Sequence, residues 1–270
     1  MLYSTQLIPL NFIMIKSSNI TVIKIGGSTL GETDSTFKDI VSLYKQGWKI
    51  IIIHGGGKEI SNWINKQGIE PNFVEGLRVT DQKTLDVVTA VLAGKVNTEI
   101  VTEFQNLNVN AVGLSGSSGI LEAKQLDVKL GFVGEIINCN TKILLNLLDN
   151  RFLPVISPLA ISVDIKNQIY NTNADTAAGV IAKEIKAESI IFQTDVPGIL
   201  DSNKRVIPQM TKGQANELIE TGIAQGGMIP KIRACINALE CVKTGRIIDG
   251  RESGALLSAF TNMNIGTRII

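Results

Sequence analysis

The chain has 270 residues, 44% of them hydrophobic, enough to fill the core of one large α/β domain or of two lobes without disulfide staples. Twenty-six Lys and Arg against 25 Asp and Glu leave a net charge of +1 with no basic run, which argues against a nucleic-acid partner. Three cysteines, Cys139, Cys235 and Cys241, lack metal-ligand spacing and suit reduced thiols in a cytoplasmic protein, while the single histidine, His54, argues against a zinc site.

Leu7 to Ile15 is apolar but reads as neither a targeting segment nor a membrane span. No Lys or Arg precedes it, Pro9 and Asn11 interrupt it, and it is far shorter than the roughly 20 residues a spanning helix needs. Translation from Met1 and translation from Met14 both fit the sequence. The first strand, 21–25, carries Lys24 inside an apolar run, where an unpaired ammonium is costly. Gly26 and Gly27 follow, and glycines let backbone N–H groups approach an anion closely, so the combination points to a phosphate. After a helix at 35–46, the strand 49–53 runs into His54-Gly-Gly-Gly-Lys58 and a helix at 57–67. This is neither a Walker A loop nor G-x-G-x-x-G. Alone it reads equally as a tight turn or as an anion cradle at the carboxyl edge of a parallel sheet; the Gly26-Gly27 turn on the same edge favours the cradle.

Arg78 reads by itself as a surface arginine, or as a planar fork able to grip a carboxylate. The helix at 82–105 has a wide apolar face of Leu85, Val88, Val91, Leu92, Val96 and Ile100, extended by Val87, Val101 and Phe104. That face suits burial within one subunit and sharing between two subunits about equally. A strand at 109–114 enters a third glycine-rich turn, Gly113 to Gly119, to which no role is assigned. Lys124 to Asn138 and Ile161 to Tyr170 read as hairpins or short antiparallel strands, flanking a helix at 141–149 and a strand at 153–157.

Asn171 and Asn173 precede an alanine-rich helix at 174–186, and Asp175 lies in its first turn. Asn173 is a good N-cap and an early Asp complements the helix dipole, yet two asparagines and an aspartate exceed what one cap needs. The alternative gives the amides a polar substrate and gives Asp175 the lysines. A strand at 189–193 ends in Thr194-Asp-Val-Pro-Gly198, either an ordinary exit turn or a wrap for a nucleotide. Past a helix at 213–221, Gly226 and Gly227 precede a helix at 230–243 begun by Pro230, with Lys231 in its first turn, where the macrodipole disfavours a cation unless an anion binds. Strands alternating with helices predict a mostly parallel sheet covered by helices.

In this order the segments resemble the amino-acid kinase family, and within it the branch acting on N-acetyl-L-glutamate. The resemblance runs from about Val22 to Ile270. It rests on Lys24-Ile-Gly-Gly27, His54-Gly-Gly-Gly57, Gly76-Leu-Arg-Val-Thr-Asp81, Val112-Gly-Leu-Ser-Gly116, Asn171-Thr-Asn-Ala-Asp175, Thr194-Asp-Val-Pro-Gly198, Gly226-Gly-Met-Ile-Pro-Lys231 and Gly266-Thr267. It implies an open three-layer αβα sandwich around a mostly parallel central sheet. Residues 1–185 would form a lobe that binds the acylated amino acid and dimerises, and residues 186–270 a lobe that binds ATP. The implied reaction is γ-phosphoryl transfer to the side-chain carboxylate, with Mg2+ held mainly by the ATP phosphates and no dedicated protein metal site.

By the same resemblance, Lys24 and Lys231 neutralise the moving group, Asp175 orients them, and Gly26, Gly27 and Gly56 bind phosphate. Gly56, Gly57, Arg78, Asn171 and Asn173 would hold the acceptor. Thr194, Asp195, Val196, Pro197, Gly198 and Ile199, with Ile223, Ala224 and Gln225, would line the nucleotide site. A carboxylate needs no general base to attack phosphorus, which suits a chain with one histidine. Arginine-inhibited members of the family have a longer N-terminal helix and a more acidic stretch before the last Gly-Thr. Here the lead is short and the stretch is Phe260-Thr-Asn-Met-Asn-Ile265, so the expectation is a cytoplasmic homodimer without arginine feedback and without nucleic-acid or membrane partners. The competing readings are a kinase acting on N-succinylglutamate or carrier-linked aminoadipate, and a non-catalytic amino-acid-binding regulator of the same fold. A nicotinamide-dependent dehydrogenase is disfavoured by the missing fingerprint glycines.

Overall fold

The computed structural model describes residues 19–26, 34–261 and 265–270. Met1, Met14, the run from Leu7 to Ile15, Gly27 and residues 262–264 lie outside them. Strand β1 (Ile20–Ile25) is followed by α1 (Asp34–Lys45), β2 (Lys49–His54), α2 (Gly57–Lys66) and a hairpin of β3 (Phe73–Val74) and β4 (Leu77–Arg78). Helix α3 (Gln82–Thr89) passes through a π-helical stretch, Ala90–Val96, into α4 (Asn97–Asn106). Then come β5 (Ala111–Ser115), β6 (Leu121–Gln125), β7 (Gly134–Cys139), α5 (Lys142–Asp149) and β8 (Leu153–Ser157). Next are β9 (Leu159–Ser162), β10 (Ile169–Asn171), α6 (Ala174–Glu184) and β11 (Ser189–Thr194). The chain closes with β12 (Gln209–Met210), α7 (Lys212–Glu220), α8 (Met228–Ala238), β13 (Thr244–Asp249), α9 (Ala255–Thr261) and β14 (Thr267–Ile269).

Eight strands form one sheet in the order β12-β14-β13-β11-β1-β2-β8-β5. The six from β13 to β5 run parallel, and β14 is antiparallel to β13. Side-chain alternation splits each central strand between two cores. Val22, Ile53 and Phe192 pack with residues of α5, α6 and α8, whereas Ile23, Ile25 and Ile52 pack with residues of α1, α2, α3, α4 and α9. The fold is therefore the expected three-layer αβα sandwich. Both expected antiparallel segments are present as β6 with β7 and β9 with β10, joined in a second, four-stranded sheet.

Several expectations need correction. Helix α8 starts at Met228 rather than Pro230, because a proline is tolerated in a first turn whose N–H groups have no intrahelical partner. Of the residues that extend the apolar face of the long helix, Val87 and Phe104 are buried, with the Phe104 ring meeting Phe37 edge-on at 5.0 Å, and Val101 is half-buried. Strand β13 and helix α9 were not anticipated, since Lys243 to Asp249 contains only two consecutive large apolar residues, Ile247 and Ile248. Two glycines of the third glycine-rich segment serve packing, as a Cβ on Gly113 would lie 2.0 Å from Asn97 Oδ1 and one on Gly116 2.3 Å from the Leu159 carbonyl.

Candidate active site

The carboxyl ends of β1, β2 and β11 meet the N-terminus of α6, and there the two lysines converge. Lys24 sits next to the end of β1, level with Ile53 of β2 and Phe192 of β11, and is 6% exposed. Its ammonium lies 2.9 Å from Asp175 Oδ1 as an ion pair approaching off the hydrogen-bond direction. Lys231, on α8, donates to Asp175 Oδ2 at 3.2 Å and to the Gly227 carbonyl at 3.1 Å. Asp175 occupies the first turn of α6, where the helix dipole favours a carboxylate. Burial would raise its pKa, but the Lys24 and Lys231 ammonium groups outweigh burial and hold it below the usual carboxylate range. Two cations on one anion leave a surplus positive charge in a nearly closed site. At an effective dielectric of about 20 such a charge attracts an anion about 4 Å away by roughly 4 kcal/mol.

Gly26 is buried beside this cluster, and Gly27 lies outside the described residues. The turn after β2 is tied to β1 by the Gly55 N–H, which donates to the Ile25 carbonyl at 3.0 Å. A Cβ on Gly56 would come within 2.6 Å of the buried Leu92 side chain, whereas one on Gly57 would meet nothing within 4 Å. Gly57 is thus not demanded by packing. The Gly56 N–H finds no acceptor among the described residues.

Beside the turn opens a cleft of about 190 Å³ lined by Gly56, Gly57, Arg78, Val133, Asn171 and Asn173, among others. Arg78 is only 8% exposed, which overturns the surface reading. One guanidinium nitrogen, Nη2, donates to the Gly57 carbonyl at 3.1 Å and to Ser61 Oγ at 2.8 Å. The other, Nη1, is buried without a partner, and the group stacks 4.6 Å from the Phe73 ring centroid. Burial pushes its pKa down from the ordinary arginine value. No acidic side chain among the described residues pairs with it, so the group is suited to a carboxylate. Asn171 donates to Thr80 Oγ1 at 3.1 Å. Asn173 caps α6 through Oδ1, accepting from the Asp175 and Thr176 N–H groups at 2.9 and 3.0 Å, which leaves its amide NH2 for the cleft. Both readings of Asn173 are therefore compatible.

The C-terminal segments gather around a second region. Thr194 is buried at the end of β11 and donates to Asp195 Oδ1 at 3.2 Å; Asp195 and Pro197 are exposed and Val196 half-buried. Gly198 has a φ of +151° and its Cβ position would lie 2.8 Å from Thr267 Oγ1. Thr267 Oγ1 in turn accepts the Ile199 N–H at 2.8 Å, so the closing Gly266-Thr267 pair props this turn. Ile199 also accepts from the Ile207 N–H at 2.9 Å. Ile207 lines a cleft of about 280 Å³ with Met210, Leu218, Thr221 and Ile223, among others. Ala224 is buried next to it and Gln225 is exposed. Thr80 and Thr267, present in the motifs without a role of their own, thus act as supports, Thr80 for Asn171 and Thr267 for Ile199. Among the described residues no cluster of three or more His, Cys, Asp or Glu could hold a metal ion, and no helix is long and apolar enough to cross a membrane.

Residues 19–249 match the profile of the Amino acid kinase family. Acetylglutamate kinase of Nostoc punctiforme is 44% identical over 97% of this chain and 90% of its own length. Acetylglutamate kinase of Archaeoglobus fulgidus is also 44% identical, over 93% of each chain. Among solved structures, N-acetylglutamate synthase from Neisseria gonorrhoeae complexed with coenzyme A and N-acetyl-glutamate superposes with a TM-score of 0.82 at 28% identity, over 93% of this chain and 59% of that one. Two ammonium groups on one buried carboxylate between glycine turns, on this sheet and over this length of similarity, lead to one conclusion: the chain belongs to the amino acid kinase family.

Proposed function

We propose that this chain transfers the γ-phosphoryl group of ATP to the side-chain carboxylate of N-acetyl-L-glutamate, giving N-acetyl-L-glutamyl 5-phosphate and ADP, a step of arginine biosynthesis. The observation that carries the proposal is the pair of lysines on Asp175, 2.9 and 3.2 Å away, next to a cleft containing a buried arginine with an unpaired nitrogen. Similarity to acetylglutamate kinases over nearly the whole chain supports the choice of acceptor.

In this reading the acceptor's α-carboxylate meets Arg78, and the amides of Asn171 and Asn173 hold its remaining polar groups. Its side-chain carboxylate oxygen attacks the γ-phosphorus in line. The new O–P bond forms as the bridging O–P bond to the β-phosphate breaks, and that electron pair leaves with ADP. Lys24 and Lys231 neutralise the equatorial oxygens, Asp175 keeps both ammonium groups in place, and N–H groups of Gly26, Gly27, Gly56 and Gly57 supply hydrogen bonds. The attacking group is already an anion, so catalysis reduces to positioning and charge stabilisation. Thr194 to Ile199 and Ile223 to Gln225 border the nucleotide, with the 280 Å³ cleft beside Ile207 taking the base. Mg2+ would be held mainly by the ATP phosphates and would supply charge neutralisation there. Residues 1–185 form the acceptor lobe and residues 186–270 the nucleotide lobe of a cytoplasmic homodimer.

Acceptor profiling by coupled ADP release tests the assignment. N-acetylglutamate is expected to give the highest kcat/KM, and a tenfold preference for N-succinylglutamate or a carrier-linked aminoadipate would replace it as substrate. Ligand binding without ADP release from any acceptor would instead support a non-catalytic regulator.

A further inference from the structure

The single histidine of the chain, His54, closes β2 at the glycine turn and is fully buried, with its side chain on the face of the sheet opposite Lys24. Its Nδ1 lies 2.8 Å from the carbonyl oxygen of Gly55 and its Nε2 lies 3.1 Å from Asn97 Nδ2. The same Asn97 nitrogen donates to the Val155 carbonyl at 2.9 Å, which fixes the orientation of the amide, because a flipped amide would set oxygen against oxygen. With an N–H donor facing Nε2, that atom must be the acceptor, and the ring proton resides on Nδ1, facing the Gly55 carbonyl. Room for Asn97 is made by Gly113, whose Cβ position would lie 2.0 Å from Asn97 Oδ1. Asn97 directly follows the π-helical stretch Ala90–Val96, an irregularity often found at functional sites because it re-registers the residues after it.

We infer that His54 and Asn97 are positioning residues for phosphoryl transfer: Asn97 selects the Nδ1–H tautomer of His54, and that tautomer pins the Gly55 carbonyl so that the Gly56 N–H is turned toward Lys24 and Asp175. In a trans peptide the C=O and N–H point in opposite directions, and the chain has no cis peptide among the described residues. A Gly55 carbonyl held on the His54 side therefore sends the next N–H to the other side, where it finds no protein acceptor among the described residues. The inference rests on the reading of this turn as a phosphoryl cradle. It adds to that reading how the cradle is held, and assigns a purpose to Gly113 and to the break in the long helix. Burial, with Lys24 on the adjacent strand acting in the same direction, keeps the ring neutral down to about pH 4, so the device operates throughout the physiological range.

Because His54 is the sole histidine, 15N-histidine labelling of the untagged chain gives a spectrum of this ring alone. The expected spectrum shows a protonated Nδ1 and an unprotonated Nε2, unchanged between about pH 5.5 and 9. Asn97→Ala is expected to give a mixture of tautomers and a fall in kcat of about tenfold or more, with KM for ATP within about threefold. Val101→Ala, which alters packing beside Gly113 without touching His54, is expected to keep the tautomer and kcat while lowering the melting temperature. A protonated Nε2 in the unmodified protein would overturn the inference even if Asn97→Ala failed to fold. So would an Asn97→Ala variant that keeps kcat within twofold, or equal kcat losses in the two variants. The labelling result does not depend on turnover, so absence of kinase activity in the unmodified protein would count against the proposed function and leave the tautomer assignment to stand or fall separately.

Discussion

Asp175 is one carboxylate shared by two ammonium groups, and its value lies in what its removal would expose. With Asn in its place, Lys24 and Lys231 would face each other in a site of low polarity without a compensating anion. Asp175→Asn is therefore expected to lose about 3–5 kcal/mol of unfolding free energy in urea titrations, in line with breaking one side of a buried pair. A loss below about 1 kcal/mol would mean that the cluster is open to water. Burial lowers the pKa of His54 from 6.5 to about 4 in the folded chain. The unfolded chain takes up the proton first as pH falls, so the neutral ring contributes stability that is fully present above pH 6.5 and lost toward pH 4, about 3 kcal/mol in all. Urea midpoints measured at pH 7.5 and pH 5 should therefore diverge more in the unmodified protein than in His54→Asn, and equal midpoint shifts in the two proteins would show that the ring is not buried and neutral.

At the level of strands, helices and turns, glycines separate into those demanded by packing and those left for a ligand. A Cβ on Gly245 of β13 would sit 2.0 Å from Cys235 Sγ, while one on Gly57 at the start of α2 meets open space. Gly245→Ala is expected to cost about 1–3 kcal/mol of stability by overpacking. Gly57→Ala is expected to leave stability within about 0.5 kcal/mol and yet lower kcat/KM for the acceptor by about tenfold, because the methyl group enters the acceptor cleft. The reverse pattern in stability and kinetics would mean that the turn is only a turn. The same contrast explains what could be read in the sequence. Lys24 and the glycine turns were legible because a charge inside an apolar run and a glycine after a strand are local anomalies. Strand β13 was not, because Gly245 and Arg246 are set by partners distant in sequence, Cys235 and the Ile265 carbonyl. Asn97 was illegible for a similar reason: on a helix it is one polar residue among several, and only the fold brings it to His54 across 43 positions.

In the whole molecule, a continuous eight-stranded sheet carries both proposed lobes, with the lysine–aspartate cluster at the carboxyl ends of its central strands. Lys24 comes from the first strand and Lys231 from the eighth helix, so the cluster exists only in the completed fold. The homodimer proposed for this chain predicts twice the subunit mass in light scattering and no loss of turnover in sub-millimolar arginine. A hexamer, or inhibition by arginine in that range, would contradict it.

In the proposed reaction two lysines far apart in the sequence act on one moving phosphoryl group. Coupled ADP release with N-acetylglutamate, run on the unmodified protein beside Lys24→Ala and Lys231→Ala, tests it most directly. Each variant is expected to fall by at least about 10²-fold, mainly in kcat. Turnover within about threefold of the unmodified protein in either variant would contradict it.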